Sequence, residues 1–142
     1  MQPSHLLWLA GGRHIGSVDV VMAQRARGEH AMVAATHLAD HPRVARATAH
    51  RRDVTVLANE HGLVTVGRGL VDRWEVSVEL FDGVPHGRGA GRSLIAAGLA
   101  VPPPGEWLWA QVAAGNTASL RAFLAVGFVP VCSEVLLTHH DD

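Results

Sequence analysis

Hydrophobic and polar residues alternate most regularly in the middle of the chain. Residues 54–58 and 63–70 are rich in β-branched side chains and flank the turn at 59–62, a combination that predicts a β-hairpin. Residues 71–80 alternate strictly and predict a third strand with two different faces. One face carries Trp74, Val76, Val78 and Leu80, and the other carries Glu75, Ser77 and Glu79.

The remaining C-terminal part alternates between helical and extended patterns. The predicted elements are a helix over 91–100, a strand over 107–113, a helix over 116–126 and a strand over 129–138. The proline triplet at 102–104 ends the first helix, because proline supplies no amide hydrogen. Asn116 is a favourable N-cap for the second helix, and Gly127 is suited to its left-handed C-terminal position.

The first 53 residues have a less regular pattern. Residues 17–23 predict an edge strand, residues 29–40 predict a helix, and residues 43–50 predict a short helix after Pro42. The resulting element order is β-α-α-β-β-β-α-β-α-β. This order predicts an α/β (α+β) class fold, with helices packed on a mixed sheet. A length of 142 residues is that of a single domain over 1–142.

Composition excludes several classes of protein. The net charge is −1 with 18% charged residues, so we expect no nucleic acid partner. Cys132 is the only cysteine, so no internal disulfide forms and a reducing compartment is expected. The apolar run "LLWLA" is too short to be a signal or to span a bilayer. We therefore expect a cytoplasmic protein without a membrane partner.

The glycine-rich stretch "PHGRGAGRS" at 85–93 joins a predicted strand to a predicted helix. Bare backbone amides and the positive end of a helix dipole meet there, and together they favour a phosphate group. A Walker loop ending at Ser93 would need glycine at His86 and lysine at Arg92. A dinucleotide fingerprint starting at Gly87 would need glycine at Arg92. Neither motif fits.

A third phosphate-binding motif does fit this stretch. The residues His86, Gly87, Arg88, Gly89, Ala90 and Gly91 match the pyrophosphate loop Gln/Arg-x-x-Gly-x-Gly/Ala, except that histidine stands first. A second motif follows at the proper separation, with Asn116, Ser119, Phe123, Gly127 and Phe128 at matching offsets. Over residues 54–138 the chain resembles the GNAT superfamily of acetyl-CoA-dependent N-acetyltransferases. Residues 1–53 match by element order alone, as a shortened or atypical N-terminal part. The resemblance implies an actinobacterial-type member of the family.

The resemblance implies a fold and a cosubstrate. The fold is a mixed, mostly antiparallel sheet that splays between its fourth and fifth strands, with helices on both faces. Acetyl-CoA would lie in the splay, with the backbone at the end of strand 71–80 pairing with its pantetheine arm and the loop amides holding its pyrophosphate. The implied cofactor-binding residues are Glu79, Leu80, Phe81, His86, Gly87, Arg88, Gly89, Ala90, Gly91, Arg92, Asn116, Ser119 and Phe123.

The implied reaction is acetyl transfer to a primary amine of a small molecule or peptide, by direct attack in a ternary complex. Glu75 lies eleven residues before the loop and resembles the general base of the histone-acetylating branch, with Glu79 as the second candidate. Glu75 could instead pair with Arg73 or Arg68. Acidic residues at 75, 79 and 82 would suit a cationic acceptor. Phe123 stands where many members have a proton-donating tyrosine, so the alternative is a catalytically weak or inactive acyl-CoA-binding sensor.

Other patterns point to ordinary surface or packing roles. His37 and His41 are four residues apart, but a metal site needs three or four ligands, so we predict no metal. The basic segment 43–52 predicts an exposed helix rather than a contact to nucleic acid or to the 3′-phosphate of CoA. Trp107 and Trp109 share a strand face that suits core or dimer packing. The apolar strand at 129–138 makes a homodimer an expectation.

Overall fold

The seven strands of the computed structural model, which describes residues 3–139, form one mixed sheet. Their bounds are β1 His14–Arg25, β2 Val33–Ala34, β3 Arg52–Asn59, β4 Gly62–Arg68, β5 Trp74–Leu80, β6 Trp107–Ala113 and β7 Val129–Thr138. The strand order is β2-β3-β4-β5-β6-β1-β7. Every neighbouring pair is antiparallel except β5 and β6, which are parallel. The predicted α/β fold with a mostly antiparallel sheet is therefore confirmed.

The sheet opens between β5 and β6, the fourth and fifth strands of the prediction. These two strands pair at Trp74–Leu108, Glu75–Trp109 and Val76–Ala110. Beyond Val76 they continue to Leu80 and Ala113 without pairing in the described part of the chain. The predicted splay is confirmed, and it begins after Val76 of β5 and Ala110 of β6.

Helices cover both faces of this sheet. The helices of the described residues are α1 Pro3–Ala10, α2 Pro42–His50, α3 Ala90–Leu99 and α4 Thr117–Ala125, with short 3₁₀ turns at Thr36–Leu38 and Leu70–Asp72. Helix α3 lies on the face of Val64 and Val76, because a Cβ at Gly98 would approach both side chains within 3.2 Å. Helix α2 ends at His50, and the side chain of the next residue, Arg51, contacts Glu75 on the opposite face. Within residues 3–139, no helix combines the length and apolar character needed to cross a bilayer.

The main apolar core lies between the sheet and the helices α3 and α4. Its fully buried side chains include Met22, Val64, Leu94, Leu108 and Phe128. The opposite face of the sheet carries the buried polar residues Thr65 and Glu75. The alternation of residues 74–80 thus separates an apolar layer from a polar one, as the sequence pattern predicts.

The N-terminal part differs most from the sequence prediction. Residues 17–23 are not an edge strand: β1 pairs with β6 on one side and β7 on the other. The predicted helix over 29–40 is wrong, since Val33 pairs with Ala58 at the sheet edge and only Thr36–Leu38 forms a helical turn. Pairing with the edge of β3 outweighs the helical propensity of this segment. Helix α1 was not predicted, whereas α2 confirms the helix over 43–50.

Two smaller corrections concern the strands beside the splay. The strand predicted over 71–80 begins at Trp74, because Val71 and Asp72 adopt left-handed backbone angles with φ of 46° and 61°. Trp107 and Trp109 do not enter the main core, since Leu108, Ala110 and Val112 are the buried side chains of β6. Trp107 is 41% exposed and lies under the Arg25 guanidinium, 4.0 Å from the ring centre.

Candidate active site

The glycine loop between β5 and α3 presents a row of unused backbone donors. Gly87 and Gly89 have φ of 78° and 91°, a left-handed conformation that glycine adopts without steric cost. Gly89 is the N-cap of α3, and its carbonyl accepts from the Ser93 amide at 3.0 Å. Within residues 3–139, the amides from Gly87 to Arg92 donate to no protein acceptor. The loop therefore offers six adjacent N–H groups at a helix N-terminus, the arrangement that binds a phosphate.

Two arginine side chains stand beside these amides. Arg88 and Arg92 are exposed, and in the described part of the chain no carboxylate lies within ion-pair distance of either. By contrast, Arg43, Arg51 and Arg73 each form an ion pair with a glutamate. The loop therefore combines backbone donors with two cations that remain available to an anion.

A cavity of about 220 Å³ runs from this loop into the splay. Seven of the predicted cofactor-binding residues line it: Glu79, Leu80, His86, Gly91, Asn116, Ser119 and Phe123. The remaining lining comes from β5, α3, α4 and the side chain of Arg43. The other predicted loop residues, Gly87 to Ala90 and Arg92, flank its open end by their place in the chain. A larger, more open groove of about 520 Å³ lies between α3 and the β2–β3 edge, away from the splay.

Only alternate residues of β5 direct their backbone N–H and C=O groups into the splay. The Phe81 amide donates to the His61 carbonyl at 2.9 Å, so this predicted contact to pantetheine is already engaged within the protein. Because hydrogen-bonded positions alternate along an antiparallel pair, Glu79 also directs its backbone toward β4. The backbone groups of Val78 and Leu80 therefore face the gap left by β6. These two residues, rather than Glu79 and Phe81, are placed to pair with an extended ligand.

Helix α4 closes the other side of the cavity. The Asn116 Oδ1 atom accepts from the Ser119 amide at 3.2 Å, so Asn116 caps the helix as predicted while also lining the cavity. Phe123 is 4% exposed and meets Phe128 edge-on, with ring centres 5.0 Å apart. Phe123 is thus mainly a core residue, and its ring brings no proton donor to the cavity.

The position of Glu75 corrects the first candidate for the general base. Its carboxylate is 7% exposed, accepts from Arg51 Nε at 3.1 Å and Arg73 Nε at 2.9 Å, and also accepts from the Leu70 amide at 3.2 Å. It is absent from the cavity lining. A Cβ at Gly69 would lie 2.2 Å from Glu75 Oε2, so any larger residue there would force this carboxylate to shift. Glu75 is a buried structural anion, and the alternative pairing with Arg73 is confirmed.

Arg51 organises the polar layer around Glu75. Its guanidinium also donates to Ser77 Oγ at 2.8 Å and to Thr65 Oγ1 at 3.4 Å. Burial lowers the pKa of Arg51 below its ordinary value, and the adjacent Glu75 carboxylate opposes this shift. Arg73 continues the network to Glu134 of β7 at 3.3 Å. The charge of Glu75 is consequently balanced inside the protein and is not presented to a ligand.

Glu79 is the carboxylate that reaches the cavity. Its side chain is 37% exposed, and Oε2 accepts from Arg43 Nε at 2.7 Å. The His41 Nε2 atom lies 4.0 Å from Glu79 Oε1, while His41 Nδ1 accepts from the Arg43 amide and caps α2. The sequence analysis missed Arg43 and His41 as site residues. Their place at the start of a helix after Pro42 was visible, but the packing of that helix beside Glu79 was not.

Comparison with solved structures identifies the fold. A proposed acetyltransferase of the GNAT family from Novosphingobium aromaticivorans matches with a TM-score of 0.57 and 20% sequence identity. The match covers 87% of this chain and 65% of that one, so this chain spans about two thirds of the length of that protein. No protein-family model matches the sequence, and no curated protein does. The chain has the GNAT fold, whereas its actinobacterial type remains a prediction.

Proposed function

We propose that this protein is an acyl-CoA-dependent N-acetyltransferase that acts on a primary amine. One observation carries the proposal: within residues 3–139 the amides from Gly87 to Arg92 donate to no protein acceptor, and their loop borders, through Gly91, a cavity that is also lined by β5 beyond its last pair with β6. A diphosphate suits the amides and the two free arginines, and an extended amide-bearing chain suits the strand edge. Both features border the same cavity, so one extended ligand could use them together. We further propose that the described residues belong to a single acetyltransferase domain.

The residues available for binding have distinct tasks. The loop amides, Arg88 and Arg92 would hold the pyrophosphate, while Val78 and Leu80 would bind the pantetheine by their backbone groups. Asn116, which also lines the cavity, would contact the same arm from the opposite side of the splay. Acetyl-CoA supplies the acetyl thioester, and the protein supplies its alignment toward the face that carries Glu79.

Glu79 is the proposed general base. An alkyl ammonium with a pKa near that of lysine is protonated at neutral pH and must lose a proton to attack a thioester. Glu79 is the one acid in the cavity lining, and it is exposed enough to meet an amine. Transfer forms the C–N bond and breaks the C–S bond. Glu79 takes the proton that the ammonium loses before attack and passes it to solvent. The nitrogen loses its second proton to solvent after the C–N bond has formed, and solvent protonates the departing thiolate, because the Phe123 ring has no acidic hydrogen.

The burial of Phe123 favours a second candidate function. A cavity in which position 123 offers no hydroxyl to protonate the thiolate fits a protein that binds acyl-CoA and transfers nothing. The two functions share the loop and the strand edge, and they differ only in turnover.

Release of free CoA from acetyl-CoA separates the two candidates. We would titrate the protein with CoA calorimetrically and then follow thiol release with a panel of primary amines, using a Glu79→Gln variant as the matched control. Enzymatic function predicts amine-dependent release that falls about 10²- to 10⁴-fold in the variant while CoA affinity is kept. Tight CoA binding with no release for any amine would support the sensor. Absence of CoA binding would refute both.

A further inference from the structure

The acceptor side of the cavity carries opposite charges side by side. Glu79 and Arg43 both line the cavity, and they meet through one contact, Arg43 Nε to Glu79 Oε2 at 2.7 Å. A guanidinium has five N–H donors, and this contact uses one of them. Within residues 3–139, the two terminal amino groups of Arg43 donate to no acceptor. The site therefore shows a carboxylate next to the open fork of an arginine.

The charges of Glu79 and Arg43 cancel, and no neighbouring carboxylate of the described residues adds a net negative charge to the cavity. The other acid of the strand, Glu75, is balanced by Arg51 and Arg73 and is buried. Asp82 is exposed and does not line the cavity. The expectation of a cationic acceptor, which counted Glu75 and Asp82 beside Glu79, therefore loses its basis. A purely cationic amine would compete with Arg43 for Glu79.

An acceptor with both charges fits this arrangement better. On the basis of the proposed acetyl transfer, we propose that the acceptor is a zwitterion whose carboxylate lies next to its amino group, as in a free α-amino acid. Its ammonium would lie at Glu79, and its carboxylate would take the paired N–H groups of the Arg43 fork. Two bonds separate the amino nitrogen from the carboxylate carbon, and Glu79 and Arg43 are correspondingly in direct contact.

The geometry also gives Arg43 two tasks that a lysine could not combine. The Nε donor holds Glu79, while the terminal amino groups point their hydrogens elsewhere from the same rigid plane. Because Arg43 belongs to the first turn of α2, which His41 caps, its position is fixed relative to β5. The acceptor carboxylate would thus be bound by the Arg43 guanidinium, which already contacts the proposed general base.

Acceptor affinity tests this inference without depending on turnover. We would measure calorimetric binding of the twenty standard amino acids to the CoA-loaded protein, and of the decarboxylated amine and the amide of each one that binds. The expected result is that at least one amino acid binds, and that loss of its carboxylate weakens affinity about 10- to 100-fold. An Arg43→Gln variant should show the same loss for the amino acid and little change for the decarboxylated amine.

Arg46→Gln is the matched control, since Arg46 is exposed on the same helix and lies outside the cavity lining. It should leave all affinities unchanged, and thermal unfolding of both variants checks that α2 is intact. Plain amines that bind as tightly as amino acids would overturn the inference, as would amino acid binding that Arg43→Gln does not alter. If no amino acid binds, the inference is also wrong. Failure of the proposed acetyl transfer is seen separately, as absent CoA release with every amine.

Discussion

Replacement of Glu75 by glutamine separates a structural carboxylate from a catalytic one. The Glu75→Gln change keeps the shape of the side chain and removes its charge. Arg51 and Arg73, whose side chains are 10% and 15% exposed, then lose the anion to which each of them donates a hydrogen bond. Buried ion pairs are costly to break from one side, because the remaining charge stays desolvated without compensation.

The magnitude follows from what each arginine retains. Removing one partner of a buried pair costs about 3–5 kcal/mol. Arg73 keeps Glu134 at 3.3 Å, whereas Arg51 keeps only the hydroxyl groups of Ser77 and Thr65. We therefore expect Glu75→Gln to lower the free energy of unfolding by about 3–4 kcal/mol, a large fraction of the 5–15 kcal/mol typical of a domain.

Glu79→Gln is the matched comparison on the same face of the same strand. Its partner Arg43 has a side chain 39% exposed, so solvent screens the pair and its loss costs about 0–1 kcal/mol. Urea unfolding followed by far-UV circular dichroism measures both changes, and CoA release at a low temperature, where both variants are folded, measures activity. We expect Glu75→Gln to lose stability and Glu79→Gln to lose rate.

The opposite pattern would refute this reasoning. If Glu75→Gln unfolds at the wild-type urea concentration and releases CoA far more slowly, Glu75 reaches the substrate and its ion pairs are not structural. If Glu79→Gln keeps the full rate, the base lies elsewhere. The unfolding measurement remains informative even for a protein that transfers nothing, since it depends only on the network around Arg51.

Three further experiments test the loop and the packing of Glu75. Gly89→Ala should weaken CoA binding at least tenfold in calorimetry, because φ of 91° strains any side chain by about 1–2 kcal/mol and shifts the loop amides. The control Gly105→Ala, at φ of 86° and away from the cavity, should lose similar stability and keep CoA affinity. Equal CoA affinities of the wild type and both variants would contradict the role of the loop. Arg88→Gln with Arg92→Gln should lower CoA affinity and flatten its dependence on salt concentration, whereas Arg121→Gln, which removes another exposed arginine, should do neither. Gly69→Ala should lower the free energy of unfolding by about 1–3 kcal/mol in the same urea assay, since its Cβ would overlap the Glu75 carboxylate; wild-type stability would show that this contact can relax.

The glycine loop and the elements that flank it were largely predictable because their signals are local. A strand, a glycine loop and a helix follow one another between Trp74 and Leu99, so their spacing in sequence fixes their contacts in space. The Asn116 cap is equally local, since its acceptor bonds an amide three residues later. The interior position of β1 was not predictable in this way. Its pairing with β6 and β7 joins residues more than eighty positions apart, and alternation alone does not say how many neighbours a strand has.

The surroundings of Glu79 could not be predicted from the sequence, for a related reason. Glu75 and Glu79 look alike in the alternating pattern, and each has an arginine partner that lies 24 or 36 residues away in sequence. Only the packing of α2 across β5 shows which arginine meets which carboxylate. The same packing places Arg43 and His41 in the site, and no feature of the segment 41–46 taken alone indicates a ligand.

The point at which β5 and β6 separate explains why two similar carboxylates differ in role. Glu75 pairs in register with Trp109 and lies before the last pair, Val76–Ala110, where both strand edges are satisfied. A polar side chain there is enclosed and requires internal partners, which Arg51 and Arg73 provide. Glu79 lies three residues beyond that pair, where β6 has moved away and the cavity opens. A carboxylate on this strand face is therefore structural before the divergence and available to a ligand after it, so moving the acid from position 79 to position 77 should bring it within reach of Arg51 and remove it from the amine.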